Sequence, residues 1–342
     1  MLLTKATLLP LVMLVLLRNA ATAFVVQPSA VAARFTTSAT SSALRAGGSS
    51  ASSPFAVFES MFSTTSGSAS PTVVGVTGST GLVGKLLLSS LADKGYEPHP
   101  LSRSPSDPDI FDASEVDKCD VIVHLAGENI ASGTGFPNSI LGLRPWTDEK
   151  MKEIIDSRVS TTEALAALMK KGANPLRKRA LICASGVGIY GSKDVGPSAT
   201  AKDEKSPIDA GDPTLLAEVS RKWESAAASA KSLSTRVVSL RFGVILDKSG
   251  GVLAKLFLPF FFGAGGNVGS GEQWFGYVSG RDAVRAIEHV IETSSLSGPV
   301  NVVAPTPTTN AGLTKALGGA LNRPTIVPHP AFVVSLLFGQ MG

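Results

Sequence analysis

The stretch VVGVTGSTGLVG, residues 73–84, decides the fold class of this 342-residue chain. Its first five residues form a short, mostly β-branched run, which is typical of a strand buried on both faces of a parallel sheet. Three glycines then follow at intervals of three residues, and apolar residues recur at helical spacing from Leu82 until Gly95. A glycine turn between a strand and a helix lets a pyrophosphate approach the backbone at the helix N-terminus. The stretch therefore predicts a dinucleotide site.

Strand and helix patterns alternate along the rest of the chain. Further strands are predicted at 97–101, 120–125, 180–184, 236–241 and 299–303, and helices at 147–171, 214–231, 280–292 and 312–321. Alternation of this kind is typical of βαβ units. We therefore predict an α/β fold with a doubly wound parallel sheet of the Rossmann type.

Composition and charge exclude several classes of protein. Hydrophobic residues make up 44% of the chain and charged residues 17%, which excludes a disordered chain. The net charge of +4 comes from four basic residues within 1–58, a stretch without acidic residues, so no nucleic-acid partner is predicted. Cys119 and Cys183 stand far apart and have neither disulfide-framework nor metal-ligand spacing. We predict two buried thiols and no metal.

The N-terminus has the pattern of a processed leader. Lys5 precedes an apolar stretch at 6–17 and a small-residue cleavage pattern at 21–23, which predicts a signal peptide over 1–23. Residues 24–71, rich in Ser, Thr and Ala, predict a transit peptide or disordered linker. The two together resemble the bipartite plastid-targeting leaders of algae, with ATAFVV at the junction. We predict a plastid protein without a transmembrane segment in its mature part; the alternative is the secretory pathway.

The end of the second predicted strand bears on the choice of cofactor. A site that binds the free ribose of NAD would have Asp or Glu here, whereas this chain has Ser102 and Arg103. A carboxylate would repel a 2′-phosphate, while Arg103 can pair with it and Ser102 can donate to it. The pattern predicts NADP(H); the alternative is that Arg103 is a solvated surface charge. His124, inside a strand pattern, is predicted to be structural.

Seven further motifs carry a family resemblance. They are HLAGENI (124–130), PWTDEKMKEIIDSRVSTTEAL (145–165), SGVGIYG (185–191), LAEVSRKWESAA (216–227), LRFGVILDKSGGVLAKLFLPF (240–260), GSGEQWF (269–275) and NVVAPTPTTNAGLTKALGGALNRP (301–324). With the glycine turn, they resemble the extended short-chain dehydrogenases/reductases, and specifically the SDR39U1-like group of the epimerase family. Some bacterial members of that group are labelled sugar epimerase or cell-division inhibitor.

The resemblance implies a Rossmann domain over 72–300, a small C-terminal substrate-side portion with a family-specific segment at 301–342, and NADP(H) as cofactor. The cofactor contacts that it implies are Gly78, Thr80, Gly81, Leu82, Val83, Gly84, Ser102, Arg103, Leu125, Ala126, Glu153, Arg158 and Ile245. Glu153 and Arg158 have an alternative interpretation as solvated charges on a helix face. Because the family continues for a few dozen residues beyond GQMG at 339–342, the resemblance also implies a truncated C-terminus.

The active-site pattern departs from that of the superfamily. Most catalytic members use Tyr-x-x-x-Lys, in which the phenol is the acid/base and the ammonium lowers its pKa. Alignment of the 216–227 motif places Leu216 and Ser220 at these two positions, and neither can replace its counterpart. The predicted catalytic groups are Tyr190 beside Ser185, and Glu128 second. The alternatives are a packed aromatic for Tyr190 and a helix or loop cap for Glu128.

Two functions remain open from the sequence. The first is an NADP(H)-dependent oxidoreductase or nucleotide-sugar-epimerase-like enzyme with an altered acid/base and a small-molecule substrate. The alternative is a non-catalytic NADP(H)-binding regulator that acts through a protein partner, for example in plastid division. The sequence names neither the substrate nor an oligomer interface.

Overall fold

The computed structural model describes residues 71–103, 111–130, 147–172, 174, 176–193, 196, 198–327 and 329. The predicted signal peptide, and the transit segment as far as residue 70, lie outside the described residues. The helices are α1 (Leu82–Asp93), α2 (Ala113–Lys118), α3 (Asp148–Lys171), α4 (Leu215–Ala228), α5 (Gly251–Phe261), α6 (Gly280–Glu292) and α7 (Asn310–Leu321).

The strands are β1 (Val73–Thr77), β2 (Glu97–Leu101), β3 (Val121–His124), β4 (Arg179–Gly186), β5 (Thr235–Phe242), β6 (Val244–Asp247), β7 (Trp274–Phe275), β8 (Tyr277–Ser279), β9 (Gly298–Val302) and β10 (Thr308–Thr309). Every strand and helix predicted from the sequence is present, with ends that agree to within three residues. The shortest strands, together with α2 and α5, were not predicted.

A six-stranded parallel sheet forms the centre of the molecule, in the order β2-β1-β3-β4-β5-β9. The predicted doubly wound α/β fold is therefore confirmed. The strand order reverses at β1, because β2 lies on one side of it and β3 on the other. In open α/β sheets a crevice forms at such a switch point, outside the carboxyl ends of the strands. The glycine turn after β1 opens into this crevice.

Buried strands and two helix pairs make up the core. Val74, Val76 and Ile122 are fully buried in the sheet, as the β-branched runs predict. Helix α1 packs against α6, and α3 packs against α4. Lys94, the C-cap of α1, forms a salt bridge with Glu288 of α6 at 2.9 Å. No helix in the described part of the chain combines the length and apolarity needed to cross a bilayer.

The portion beside the six-stranded sheet, which the resemblance predicts as the substrate side, is assembled from several segments. Strand β6 pairs with β8, β7 pairs with β10, and α5 packs against α7. The predicted boundary at residue 300 falls inside β9, whose register with β5 runs from Gly298 to Val302. The sheet therefore takes part of the predicted C-terminal segment, while residues 244–279 supply much of the smaller portion. Residues 330–342 lie outside the described range.

Candidate functional site

The glycine turn after β1 is shaped by contacts that exclude side chains at two of its three glycines. Gly78 has φ +66°, and a Cβ there would lie 2.8–2.9 Å from the backbone of Leu125 and Ala126. A Cβ on Gly84 would overlap the carbonyl oxygen of Gly78. Gly81 differs from both, because a Cβ there would meet only the Gly78 carbonyl, at 3.1 Å. Protein backbone therefore fills the space beside Gly78 and Gly84, whereas the space beside Gly81 is open to solvent.

The open side of the turn is the N-terminus of α1. Gly81 is the N-cap of this helix, no side chain caps it, and its first turn contains no acidic residue. Helix N-termini with free backbone N–H groups attract anions. Thr80 and Gly81 are exposed, Leu82 is partly buried, and Val83 packs on the core. A dinucleotide diphosphate fits this cradle, which a side chain at Gly81 would fill.

Arg103 and Ser102 follow the end of β2, beside the turn, and both are exposed. Arg103 lines two neighbouring cavities. The first, of about 490 Å³, is lined by Arg103, Glu128, Glu149, Lys152, Glu153, Asp156, Ser157 and Ser160. The second, of about 380 Å³, is lined by His99, Pro100, Leu101, Ser102, Arg103, Asp112 and Glu115. Arg103 therefore stands where two clefts meet, at the edge of the sheet.

Thr77 holds the loop after β3 against the glycine turn. Its Oγ1 accepts hydrogen bonds from the backbone N–H of Leu125 at 3.2 Å and of Ala126 at 3.3 Å. The same oxygen lies 2.7 Å from Nδ1 of His124. A hydroxyl has one hydrogen and two lone pairs, so Thr77 donates to Nδ1 and the imidazole carries its proton on Nε2. Leu125 and Ala126 are thereby positioned beside Gly78.

His124 is a structural residue, as the sequence predicts. It is fully buried, and Phe111 and Trp223 pack edge-on against its ring at 6.4 and 6.3 Å between centroids. Burial lowers the pKa of His124 to about 4, with a smaller contribution from the Arg158 cation. The ring is therefore neutral at neutral pH. Its Nε2 has no hydrogen-bond partner among the described residues.

Arg158 of α3 places a positive charge under the loop at 125–128. Its guanidinium lies 5.0 Å from the centroid of the Trp223 ring and donates to the Ile154 carbonyl at 3.0 Å. A Cβ on Gly127 would be 2.9 Å from its Cζ, so this glycine makes room for the arginine. Burial lowers the pKa of Arg158 to about 10, partly offset by Glu128, so the side chain stays cationic at neutral pH.

Glu128 and Glu153 both pair with a buried lysine that is not among the site residues predicted from the sequence. Lys150 is 2% exposed and pairs with Glu128 and, at 3.4 Å, with Glu153. Both carboxylates line the larger cavity with Arg103. A charge buried this deeply needs partners of opposite charge. Lys150 and Glu153 are three residues apart and so lie on one helix face. This spacing is the sequence signal from which the pair could have been predicted.

Ser185 and Tyr190 belong to a second polar network, which crosses the sheet. Arg241 donates to both oxygens of Glu224, at 2.8 and 2.9 Å, and to the Tyr190 hydroxyl at 3.0 Å. Ser185 Oγ also donates to Glu224, at 2.8 Å, and Tyr190 Oη donates to Asn301 Oδ1 at 2.7 Å. The hydrogen bonds with Glu224 raise the pKa of the Arg241 guanidinium above its ordinary value.

The structure thus separates the predicted catalytic residues into two groups. Ser185 and Tyr190 share one network, whereas Glu128 belongs to the Lys150 cluster beside the cavity of about 490 Å³. Ser220 donates to the carbonyl of Leu216 at 2.7 Å within its own helix. Ile245 lies on β6, partly buried against the core.

Both cysteines are buried and free, and burial raises the pKa of Cys119 to about 11. The described residues contain no cluster of His, Cys, Asp or Glu suited to a metal ion.

Comparison with known proteins identifies the family. A model of the NAD dependent epimerase/dehydratase family matches residues 74–303, from β1 through β9. The chain belongs to this family. Within it, the bovine epimerase family protein SDR39U1 is 39% identical over 271 residues, which are 78% of this chain and 86% of that protein. The resemblance found in the sequence motifs is confirmed.

Two further relatives in this epimerase family bear on cofactor and location. The human epimerase family protein SDR39U1 (isoform2), crystallised with NADPH, is 34% identical, with a TM-score of 0.66 over 78% of this chain and 86% of that one. The Arabidopsis thaliana protein named epimerase family protein SDR39U1 homolog, chloroplastic, is 34% identical over 78% of this chain and 76% of its own length.

Proposed function

We propose that this epimerase-family chain binds NADP(H) on the glycine turn and is an oxidoreductase or epimerase-like enzyme with a non-standard active site. The observation that carries the proposal is the uncapped, exposed N-terminus of α1 at Gly81, in a turn whose other two glycines, Gly78 and Gly84, are closed by backbone contacts. The human relative crystallised with NADPH supports it. So does Arg103, the cation at the junction of two clefts, as the partner of a 2′-phosphate.

The proposed contacts with the cofactor extend along the switch-point crevice. Gly78, Gly81 and Gly84 let the diphosphate approach the backbone, with Thr80, Leu82 and Val83 beside it. Ser102 and Arg103 bind the 2′-phosphate. The remaining proposed contacts come from neighbouring elements and are Leu125, Ala126, Glu153, Arg158 and Ile245. When bound, NADPH supplies a hydride; the chain orients it and excludes water.

Tyr190 is the proposed proton donor, with Ser185 as its neighbour in the same network. Its hydroxyl donates a hydrogen bond to Asn301 and accepts one from the Arg241 cation. This cation would stabilise the negative charge left on Tyr190 when its proton is transferred. Glu128, paired with Lys150, is the second candidate.

Turnover of NADPH tests the catalytic part of this proposal. The full chain would be loaded with NADPH and offered aldehydes, quinones and nucleotide-sugars. We expect the rate of NADPH oxidation to fall by about a hundredfold or more in Tyr190→Phe, the scale of lost general-acid catalysis. Tyr96→Phe is the matched control, since Tyr96 packs against the core near the start of β2. Unchanged turnover in Tyr190→Phe would remove Tyr190 from catalysis.

A second function is favoured by the active-site pattern itself. Leu216 and Ser220 stand at the Tyr and Lys positions, and Ser220 is bonded inside its own helix. A protein of this kind could hold NADP(H) as a structural or redox-sensing ligand and act through a protein partner, for example in plastid division. A tight NADPH complex that reduces no carbonyl compound would favour this function over the enzyme.

We also propose that the protein resides in a plastid. The composition of residues 1–70 supports a bipartite leader, and the Arabidopsis relative is named as chloroplastic. The secretory pathway is the alternative for a chain with a signal peptide.

A further inference from the structure

One row of polar side chains crosses three strands just before their carboxyl ends. Ser185, Arg241 and Asn301 are register neighbours on β4, β5 and β9. Neighbours of this kind in a parallel sheet project from the same face. Glu224 and Tyr190 complete the row from outside the sheet, through the hydrogen bonds described above. The row therefore lies at the carboxyl edge of the sheet, which is the edge at which ligands of open α/β sheets bind.

The next positions toward the carboxyl edge are apolar. Two residues on from the polar row, the chain has Val187, Gly243 and Val303. A Cβ on Gly276 would lie 3.7 Å from Val187 Cγ2 and 3.9 Å from Val303 Cγ1. A Cβ on Gly243 would lie 2.8 Å from the carbonyl carbon of Gly276. The backbone at Gly276 therefore lies over Gly243, between the two valines.

Two more exposed apolar residues adjoin this point. Val244 donates its N–H to the Gly276 carbonyl at 2.8 Å and is 37% exposed. Leu216, which stands at the superfamily's tyrosine position, is 41% exposed and packs on Gly188, the residue after Val187. Val303 is also 41% exposed. We name these residues, Val187, Leu216, Val244, Gly276 and Val303, the apolar rim.

The charges of Glu224 and Arg241 beneath the rim cancel, and Glu204 adds a carboxylate that accepts from the backbone N–H of Asn301 at 2.7 Å. Both oxygens of Glu224 accept from Arg241, so that arginine has no free face for an anion. An anionic ligand binds where a cation can pair with it. The described residues of the apolar rim and of the ion pair beneath it offer no cation for this, because Arg241 is already neutralised by Glu224. Exposed apolar side chains in a crevice instead bind apolar ligand surface.

We propose that the apolar rim binds a neutral carbonyl compound, such as an aromatic aldehyde or a quinone, rather than a phosphorylated sugar. The proposal rests on the proposed NADP(H) function. For an aldehyde, the hydride of NADPH bonds to the carbonyl carbon, the C=O π pair takes a proton from the Tyr190 hydroxyl, and Tyr190 regains its proton from water. Each turnover consumes one NADPH and one solvent proton and gives NADP⁺ and the alcohol, or the hydroquinone from a quinone, so atoms and electrons balance.

Matched neutral and anionic substrates test the proposal. The full chain would be assayed for NADPH oxidation with benzaldehyde against carboxybenzaldehyde and with naphthoquinone against its sulfonate, and for NADP⁺ reduction with UDP-glucose, while calorimetry measures NADPH binding separately. We expect kcat/KM to be at least about tenfold higher for the neutral member of each pair. Val303→Lys should raise the relative kcat/KM of the anionic members by about tenfold, the effect of one charge-assisted bond.

Two more variants distinguish binding of neutral carbonyl compounds at the apolar rim from an effect of added charge elsewhere or of weaker NADPH binding. Gly276→Leu should fill the space between the valines and lower kcat/KM for neutral carbonyls at least tenfold, with an unchanged Kd for NADPH. Leu233→Lys adds the same charge at a fully exposed leucine and should change neither ratio. Preference of the wild-type protein for the anionic members, or inertness toward every neutral carbonyl despite NADPH binding, would overturn the proposal. Absence of NADPH binding would overturn the proposed function as well.

Discussion

Arg103 is the residue that most directly relates the sequence to the choice of cofactor. We expect Arg103→Ala to remove most of a preference for NADPH over NADH, because a charge-assisted hydrogen bond to the 2′-phosphate contributes roughly 1.5–3 kcal/mol. Arg103→Asp should reverse the preference, since a carboxylate repels the phosphate and accepts from free ribose hydroxyls. Dissociation constants for both cofactors, measured by calorimetry, check this.

Arg285→Ala is the control for Arg103, because it removes an exposed arginine that pairs with Asp282 within α6. It should leave the ratio of the two dissociation constants unchanged. An equal ratio in wild type and Arg103→Ala would make Arg103 an ordinary surface charge.

His124 predicts a dependence of stability on pH. Burial, and secondarily the Arg158 cation, lower its pKa from 6.5 to about 4 in the folded protein. The unfolded chain therefore binds more protons between these values, so the free energy of unfolding falls as pH drops from about 6.5 toward 4. The full loss from this one group is at most roughly 3 kcal/mol.

Urea denaturation at several values of pH measures this effect. His124→Asn keeps an acceptor near the Nδ1 position for Thr77 but does not titrate, so its stability should fall less steeply than that of wild type over the same range. Parallel curves for the two proteins would assign the acid sensitivity to other groups.

At the level of single residues, the sequence predicted local contacts better than distant ones. The roles expected of Gly78 and Gly81 follow from the turn itself, and the burial of His124 follows from its apolar strand. Arg241 is paired with Glu224 from a different element, and Lys150 of α3 pairs with Glu128 in the loop after β3. These partners depend on how the elements pack, which a pattern along the chain does not contain.

The glycine turn makes a prediction at the scale of the element. Gly81→Val should weaken NADPH binding by at least about tenfold, because its side chain would occupy the space at the helix N-terminus that the diphosphate needs. It should leave folding nearly intact, since a Cβ there meets only one carbonyl oxygen. Gly84→Ala should instead lower stability by about 1–3 kcal/mol, because its Cβ overlaps the Gly78 carbonyl.

Gly319→Val is the control for Gly81→Val, because nothing lies within 4 Å of a Cβ at this position in α7. NADPH affinity by calorimetry and stability by denaturation would be measured for all three variants. Equal NADPH affinity in wild type and Gly81→Val would mean that the glycine turn has only a structural role.

Long, periodic elements were predictable, whereas short ones were not. Helix α3 shows apolar positions at helical spacing, with Thr147 as its N-cap and acidic residues in its first turn. Strands β7 and β10 contain two residues each, too few for an alternating pattern. They form by pairing with each other across more than 30 residues of chain, so only tertiary packing specifies them.

At the scale of the whole molecule, the leader predicts where the protein is found. A fluorescent reporter fused to residues 1–70 should enter the plastid of an alga with a secondary plastid, and Phe24→Ala should divert it, because the aromatic residue at the junction marks the resemblance. Microscopy of the two fusions checks this. Secretion of the unmodified fusion would support the alternative.

Calorimetry of the full-length protein with NADPH and NADH tests the central claim, that the switch-point crevice is an NADP(H) site, most directly. The account predicts a tight complex with NADPH and a dissociation constant about ten- to a hundredfold higher for NADH, from one charge-assisted contact at Arg103. The difference should shrink at high salt, because Arg103 is exposed at the edge of the sheet. Equal affinity for the two cofactors would contradict the phosphate site at Arg103, and no binding of either would contradict the account as a whole.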